Sequence, residues 1–97
     1  MRATVTLAGD RATFFVGGEE VLVLRTDRGV YALEARCPHA GNPLVEGEVV
    51  GGTLVCAFHG WRFDLETGAC LAGEEPVRRY PAELVGDEVL IDVGRDE

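Results

Sequence analysis

The sequence predicts an all-β protein built from small antiparallel sheets. Short apolar-rich runs recur along the 97 residues, each bounded by glycine and aspartate turn signals. Gly-Gly, Asp-x-Gly and Gly-Asp pairs stand between these runs, and such pairs close two-residue hairpins. No stretch keeps a period of 3.6 for three turns, so no amphipathic helix is expected. There is no internal repeat and no low-complexity segment, and the length suits one domain with a modest core.

The expected strands follow in order. The first two cover 3–7 and 12–16. Gly17-Gly18 then turns the chain into 20–26, and Asp27-Arg28-Gly29 turns it again into 30–34. Within 20–26, Val21-Leu22-Val23-Leu24 shows almost no apolar/polar alternation. A strand covered on both faces has that pattern. Strands at 48–50 and 53–56 flank Gly51-Gly52, and 61–64 runs into the Glu66-Thr67-Gly68 turn. The last two, 77–84 and 88–93, flank Gly86-Asp87.

Two short stretches carry the chemistry. Cys37-Pro38-His39 and Cys56-Ala57-Phe58-His59 each supply one cysteine and one histidine, and both histidines of the chain lie in them. Two thiolates and two imidazoles make a complete metal donor set, with the cysteines deprotonated and each imidazole binding through a lone pair. Pro38 and Pro43 restrict φ, while Gly41 and Gly60 permit turns closed to other residues. Cys2His2 is also a zinc set, which leaves a zinc-stabilised structural module as a rival. Zinc sites mostly pair Cys with Cys and His with His, however, and here each loop mixes the two. Cys70 stands outside both stretches and reads as a small buried hydrophobe. Trp61 and Phe63 read as core beneath the loops, and Pro43 and Leu44 as either a shield over the site or ordinary turn and core residues.

The pattern C-x-H-x16-C-x2-H, with CPHAGNPL and CAFHGWRFDLETG around it, resembles the Rieske iron-sulfur proteins. The closing stretch YPAELVGDEVLIDV looks like that family's final hairpin. The resemblance implies one [2Fe-2S] cluster per chain, held by Cys37, His39, Cys56 and His59. Cys37 and Cys56 would bind one iron, and His39 and His59 the other. It also implies a base from about 1–35 and 67–97, with a cluster-binding part from about 36–66 set between. The bc-type members carry an extra disulfide between the two loops. Asn42 and Phe58 occupy those positions here, and Trp61 stands where those members place a serine. Fewer hydrogen bonds to the cluster sulfurs leave the reduced form less stabilised, so the chain resembles the low-potential, soluble ferredoxin branch. Ala57 departs from the proline common at its position.

The implied function is one-electron transfer from a flavin reductase to a terminal oxygenase. The alternative is the small subunit of an NAD(P)H-dependent nitrite reductase. An enzyme of its own is not expected, nor a small-molecule substrate. A Rieske oxygenase needs a second iron site, usually two histidines and a carboxylate, and both histidines are already assigned. The net charge of −8 argues against nucleic acid as a partner and suits docking on basic patches of redox proteins. No apolar run is long enough to span a membrane and MRATVTLAGD lacks a signal-peptide core, so a cytoplasmic protein is expected. Three cysteines with two assigned as ligands give no disulfide framework, which fits a reducing compartment. All nine basic residues are arginine and there is no serine, glutamine or lysine, a bias shared by thermophiles and GC-rich genomes.

Overall fold

A computed structural model of the chain describes residues 2–36, 41, 43–57, 60–72 and 76–93. Eleven strands are described: β1 (Arg2–Thr6), β2 (Arg11–Val16), β3 (Glu19–Thr26), β4 (Gly29–Glu34), β5 (Glu48–Val50), β6 (Thr53–Val55), β7 (Arg62–Asp64), β8 (Cys70–Ala72), β9 (Arg79–Tyr80), β10 (Ala82–Val85) and β11 (Glu88–Asp92). One turn of 3-10 helix covers Leu44–Glu46. The fold is all-β as expected, and every pairing is antiparallel. No helix among the described residues is long and apolar enough to cross a membrane.

The strands form three sheets, ordered β1-β11-β10, β2-β3-β4-β9 and β5-β6-β7-β8. The first two draw strands from both ends of the described chain, and the third comes from one continuous stretch. The expected turns close the hairpins. Val16 pairs with Glu19 around Gly17-Gly18, and Thr26 with Gly29 around Asp27-Arg28. Val50 pairs with Thr53 around Gly51-Gly52, and Val85 with Glu88 around Gly86-Asp87.

β3 is the middle of the molecule. Val21, Leu22, Val23 and Leu24 are at most 1% exposed, which explains their missing alternation. Successive side chains still point to opposite faces. Val21 and Val23 join Ala32, Tyr80, Val89 and Ile91 in a core shared with the β1-β11-β10 sheet. Leu22 and Leu24 join Tyr31, Leu33, Leu54, Phe63 and Leu65 in a second core, shared with the β5-β6-β7-β8 sheet. Each leucine buried this way contributes about 1.5–3 kcal/mol.

Three local features differ from the sequence expectation. The run 77–84 is two strands, because Pro81 has no N–H to donate to a ladder. Arg79–Tyr80 pairs with β4, and Ala82–Val85 pairs with β11 in another sheet. β8 has three residues and meets β7 through an irregular register, too short for any periodic signal. The 3-10 turn after Pro43 is equally short.

The turn from β7 to β8 is held by Asp64. Its carboxylate accepts from the Glu66 backbone N–H at 3.2 Å and the Thr67 hydroxyl at 3.0 Å. Gly68 follows with φ of 79°, and a Cβ there would lie 2.5 Å from the Val77 carbonyl oxygen. Gly86 has φ of 63° with nothing within 4 Å of such a Cβ. Gly86→Ala is therefore expected to cost about 1–2 kcal/mol from conformation alone, and Gly68→Ala clearly more. Urea unfolding of the two variants measures the difference; equal losses would contradict the close approach.

Tyr31 ties the central sheet to this turn, its hydroxyl donating to the Glu66 carboxylate. The acceptor, then burial, hold its pKa above the usual tyrosine value. A raised folded-state pKa means the stabilising contribution is complete below the unfolded value near 10 and fades as pH rises through the folded one. Tyr31→Phe is expected to cost about 1 kcal/mol at pH 7. The gap between the two proteins should shrink above about pH 10. Urea midpoints at pH 7 and pH 11 test this, and a gap that widens with pH would overturn it.

Candidate metal centre

Two loops leave the second core, and both are pinched shut at their roots. The first root continues from β4. The Ala35 N–H donates to the Glu20 carbonyl at 3.1 Å, and the Ala35 carbonyl accepts from the Leu44 N–H at 2.8 Å. Arg36 forms an isolated β-bridge with Pro43. Pro43, with φ of −69°, starts the 3-10 turn, which ends as Gly47 N–H donates to the Leu44 carbonyl at 2.9 Å. A Cβ at Gly47 would stand 2.5 Å from the Val55 carbonyl oxygen, so the backbones of the two loop supports touch here. Arg11 of β2 braces the turn from outside, donating from Nη1 to the Val45 carbonyl at 3.0 Å and to the Gly47 carbonyl.

The second root lies where the β6–β7 ladder ends at the Val55–Arg62 pair. One step beyond, Cys56 N–H donates to the Trp61 carbonyl at 2.7 Å, and the Cys56 carbonyl accepts from Gly60 N–H at 3.1 Å. Gly60 has φ of 71° with open space around it, so backbone conformation calls for glycine here. Cys56 is 2% exposed and carries a free thiol. Ala35 and Leu44 of the first root and Cys56 of the second belong to one packed cluster, with Trp61 against it. Packing thus gathers the ends of two loops that are distant in sequence.

Of the four expected ligands, Cys56 is described, at the mouth of its loop. Cys37, His39 and His59 lie outside the described residues, as do Asn42 and Phe58. Leu44 is fully buried and so is a core residue. Phe63 is core as well, and Trp61 is partly buried, its ring centroid 6.3 Å from that of Phe63. Cys70 is only partly buried, packed against the same cluster from β8, so the expectation of a small buried hydrophobe is met in part.

A buried thiol rooted in a tight loop, beside the root of the CPH loop, fits a metal–sulfur site in its donor chemistry: thiolate is a soft ligand and suits iron–sulfur clusters. The Rieske [2Fe-2S] domain model matches residues 2–83. The chain belongs to the Rieske family. A [2Fe-2S] cluster is that domain's cofactor, one per domain.

The chain is 34% identical over 88 residues to the ferredoxin component of an alkene monooxygenase system from Xanthobacter autotrophicus, covering 86% of this chain and 70% of that protein. The solved ferredoxin of carbazole 1,9a-dioxygenase from Nocardioides aromaticivorans superposes with a TM-score of 0.79 at 34% identity, covering 91% of this chain and 95% of that one. A nitrite reductase small subunit from Mycobacterium tuberculosis shares the fold, with a TM-score of 0.80 at 22% identity over 94% of this chain and 93% of that one. Other relatives are much larger: the chain spans 12% of a cholesterol 7-desaturase from Xenopus laevis and 13% of a 4beta-methylsterol monooxygenase from Methylococcus capsulatus.

The sequence reading missed the groups that brace the loop roots. Arg36 adjoins Cys37, which is a signal, but its carboxylate partner Glu20 is 16 residues away on β3. Arg11 is 34 and 36 residues from the carbonyls it holds. Neither pairing has a local pattern.

Proposed function

We propose that the chain is a one-electron carrier whose [2Fe-2S] cluster is held by Cys37, His39, Cys56 and His59, and that it passes electrons from a flavin reductase to a terminal oxygenase in the cytoplasm. The reading is carried by the match to ferredoxin components of oxygenase systems along most of both chains. The larger relatives are matched only over a small part of their length. Cys37 and Cys56 would bind one iron and His39 and His59 the other. When bound, the cluster supplies a single-electron couple.

The chain's own residues shape the setting. The part from about 36–66 carries the ligands on a base from about 1–35 and 67–97, with β8 joining the ligand-bearing sheet from beyond residue 66. The two closed roots present the loops from a packed core, so the scaffold has little to reorganise when charge changes. With two histidines in the chain, these 97 residues offer no histidine pair for a second iron. The acidic balance, −8 overall, favours docking on basic faces of redox proteins.

Purified protein is expected to hold about two irons and two acid-labile sulfides per chain and to give a rhombic EPR signal only after reduction. Alanine at Cys37, His39, Cys56 or His59 should abolish cluster assembly. Alanine at Cys70 should leave it intact at a cost of at most about 1–2 kcal/mol. Stoichiometric zinc without sulfide would overturn the reading, as would full cluster content in His59→Ala.

The reduction potential follows from the same ligands. Neutral imidazoles raise it above that of all-thiolate clusters, and the missing serine donor keeps it at the low end of the Rieske range, near about −150 mV. Voltammetry of the holoprotein measures it; a value near about +300 mV would refute the low-potential assignment. Reduced protein should also re-oxidise when a cognate oxygenase is added with its substrate. A nitrite reductase that does so instead would redirect the partner assignment.

A further inference from the structure

The first loop has a second fastening, made by side chains. Arg36 stands immediately before Cys37. Its Nε donates to Glu20 Oε1 at 2.8 Å and Nη2 reaches Oε2 at 3.5 Å, while Nη1 donates to the Gly41 carbonyl at 3.0 Å. One guanidinium thus grips a carboxylate on β3 and a carbonyl near the far end of the loop that starts with its own residue. Glu20 is itself fixed, because its backbone pairs with Phe15 of β2 and its carbonyl accepts from Ala35 N–H. The planar fork of arginine suits this double task, since its donors lie in a fixed geometry and need no reorientation between partners. Gly41 has φ of 73°, and a Cβ there would meet nothing within 4 Å.

A surface ion pair adds little to global stability, and the Arg36 side chain is 55% exposed. We infer that Arg36, held by Glu20, is a positioning residue that locks the loop bearing Cys37 and His39 and so governs how firmly the cluster is retained. The inference rests on the ligand assignment proposed above. The arrangement is a support around metal ligands, of the kind whose loss weakens metal holding while the ligands themselves remain.

The test uses holoprotein and three variants: Arg36→Ala, Arg36→Lys and Glu20→Gln. Cluster loss is followed by bleaching of the visible absorbance in excess iron chelator, and the reduced cluster is examined by EPR. Arg36→Ala is expected to lose its cluster about tenfold faster than the parent, with a broadened EPR line from a less uniform loop, and with an unchanged far-ultraviolet circular dichroism spectrum. Glu20→Gln keeps shape but removes the charge that holds the guanidinium, and should speed loss by a smaller factor. Arg36→Lys, one point charge that cannot serve both partners, should fall between the parent and Arg36→Ala. In the Glu20→Gln/Arg36→Ala double variant the loss should be no faster than in Arg36→Ala alone, because both changes open the same contact. Parental loss rate and line shape in Arg36→Ala would overturn the inference. Multiplying effects in the double variant would do so too, since the two residues would then act separately. A parent protein without a cluster would instead refute the ligand assignment, so the two failures are distinct.

Discussion

Burial of β3 on both faces is the constraint from which the rest of the molecule follows. A strand whose Val21, Leu22, Val23 and Leu24 are all removed from water needs a cover on each side. One cover is the β1-β11-β10 sheet, built from the two ends of the described chain. The other is the β5-β6-β7-β8 sheet, with Leu54, Phe63 and Leu65 facing Leu22 and Leu24 in one cluster. The second cover also carries Cys56. The position of a proposed ligand is therefore set by the same apolar contacts that close the core.

The two loop roots extend this logic to the backbone. Ala35 and Leu44 are joined by a hydrogen bond and both are buried, and buried Cys56 is joined by one to partly buried Trp61. A buried N–H or carbonyl without a partner costs more than a made hydrogen bond returns, so each root is fixed by satisfaction as well as by packing. The described ends of both loops are thus held by made hydrogen bonds and by packing.

Charge is distributed to match. The described core has no buried charged side chain. The arginines that touch the loop supports, Arg11 and Arg36, do so from the rim, through backbone carbonyls and a carboxylate. The Arg36 side chain is 55% exposed and that of Arg11 25%, so neither guanidinium is fully withdrawn from water, which limits the desolvation cost of an interior charge.

The sequence by itself determined the fold class, the hairpin turns and the metal chemistry. Each of these is local: Gly-Gly and Gly-Asp pairs decide a turn over two residues, an unbroken Val-Leu-Val-Leu run reports burial on both faces, and Cys-x-His and Cys-x2-His spacings carry the proposed donor set. Pro81 lacks a ladder donor whatever its surroundings, but the sequence could not show that the two halves of its run join different sheets, because a missing donor names no partner strand. It gave no sign of β8, which is only three residues long. Tertiary structure alone decided which residues support the site. Arg36 meets Glu20 and Arg11 meets Val45 through hydrogen bonds between groups 16 and 34 residues apart in the chain. Such contacts carry no periodicity and no motif, since they arise from two surfaces brought together by burial of β3 and not from neighbours along the chain.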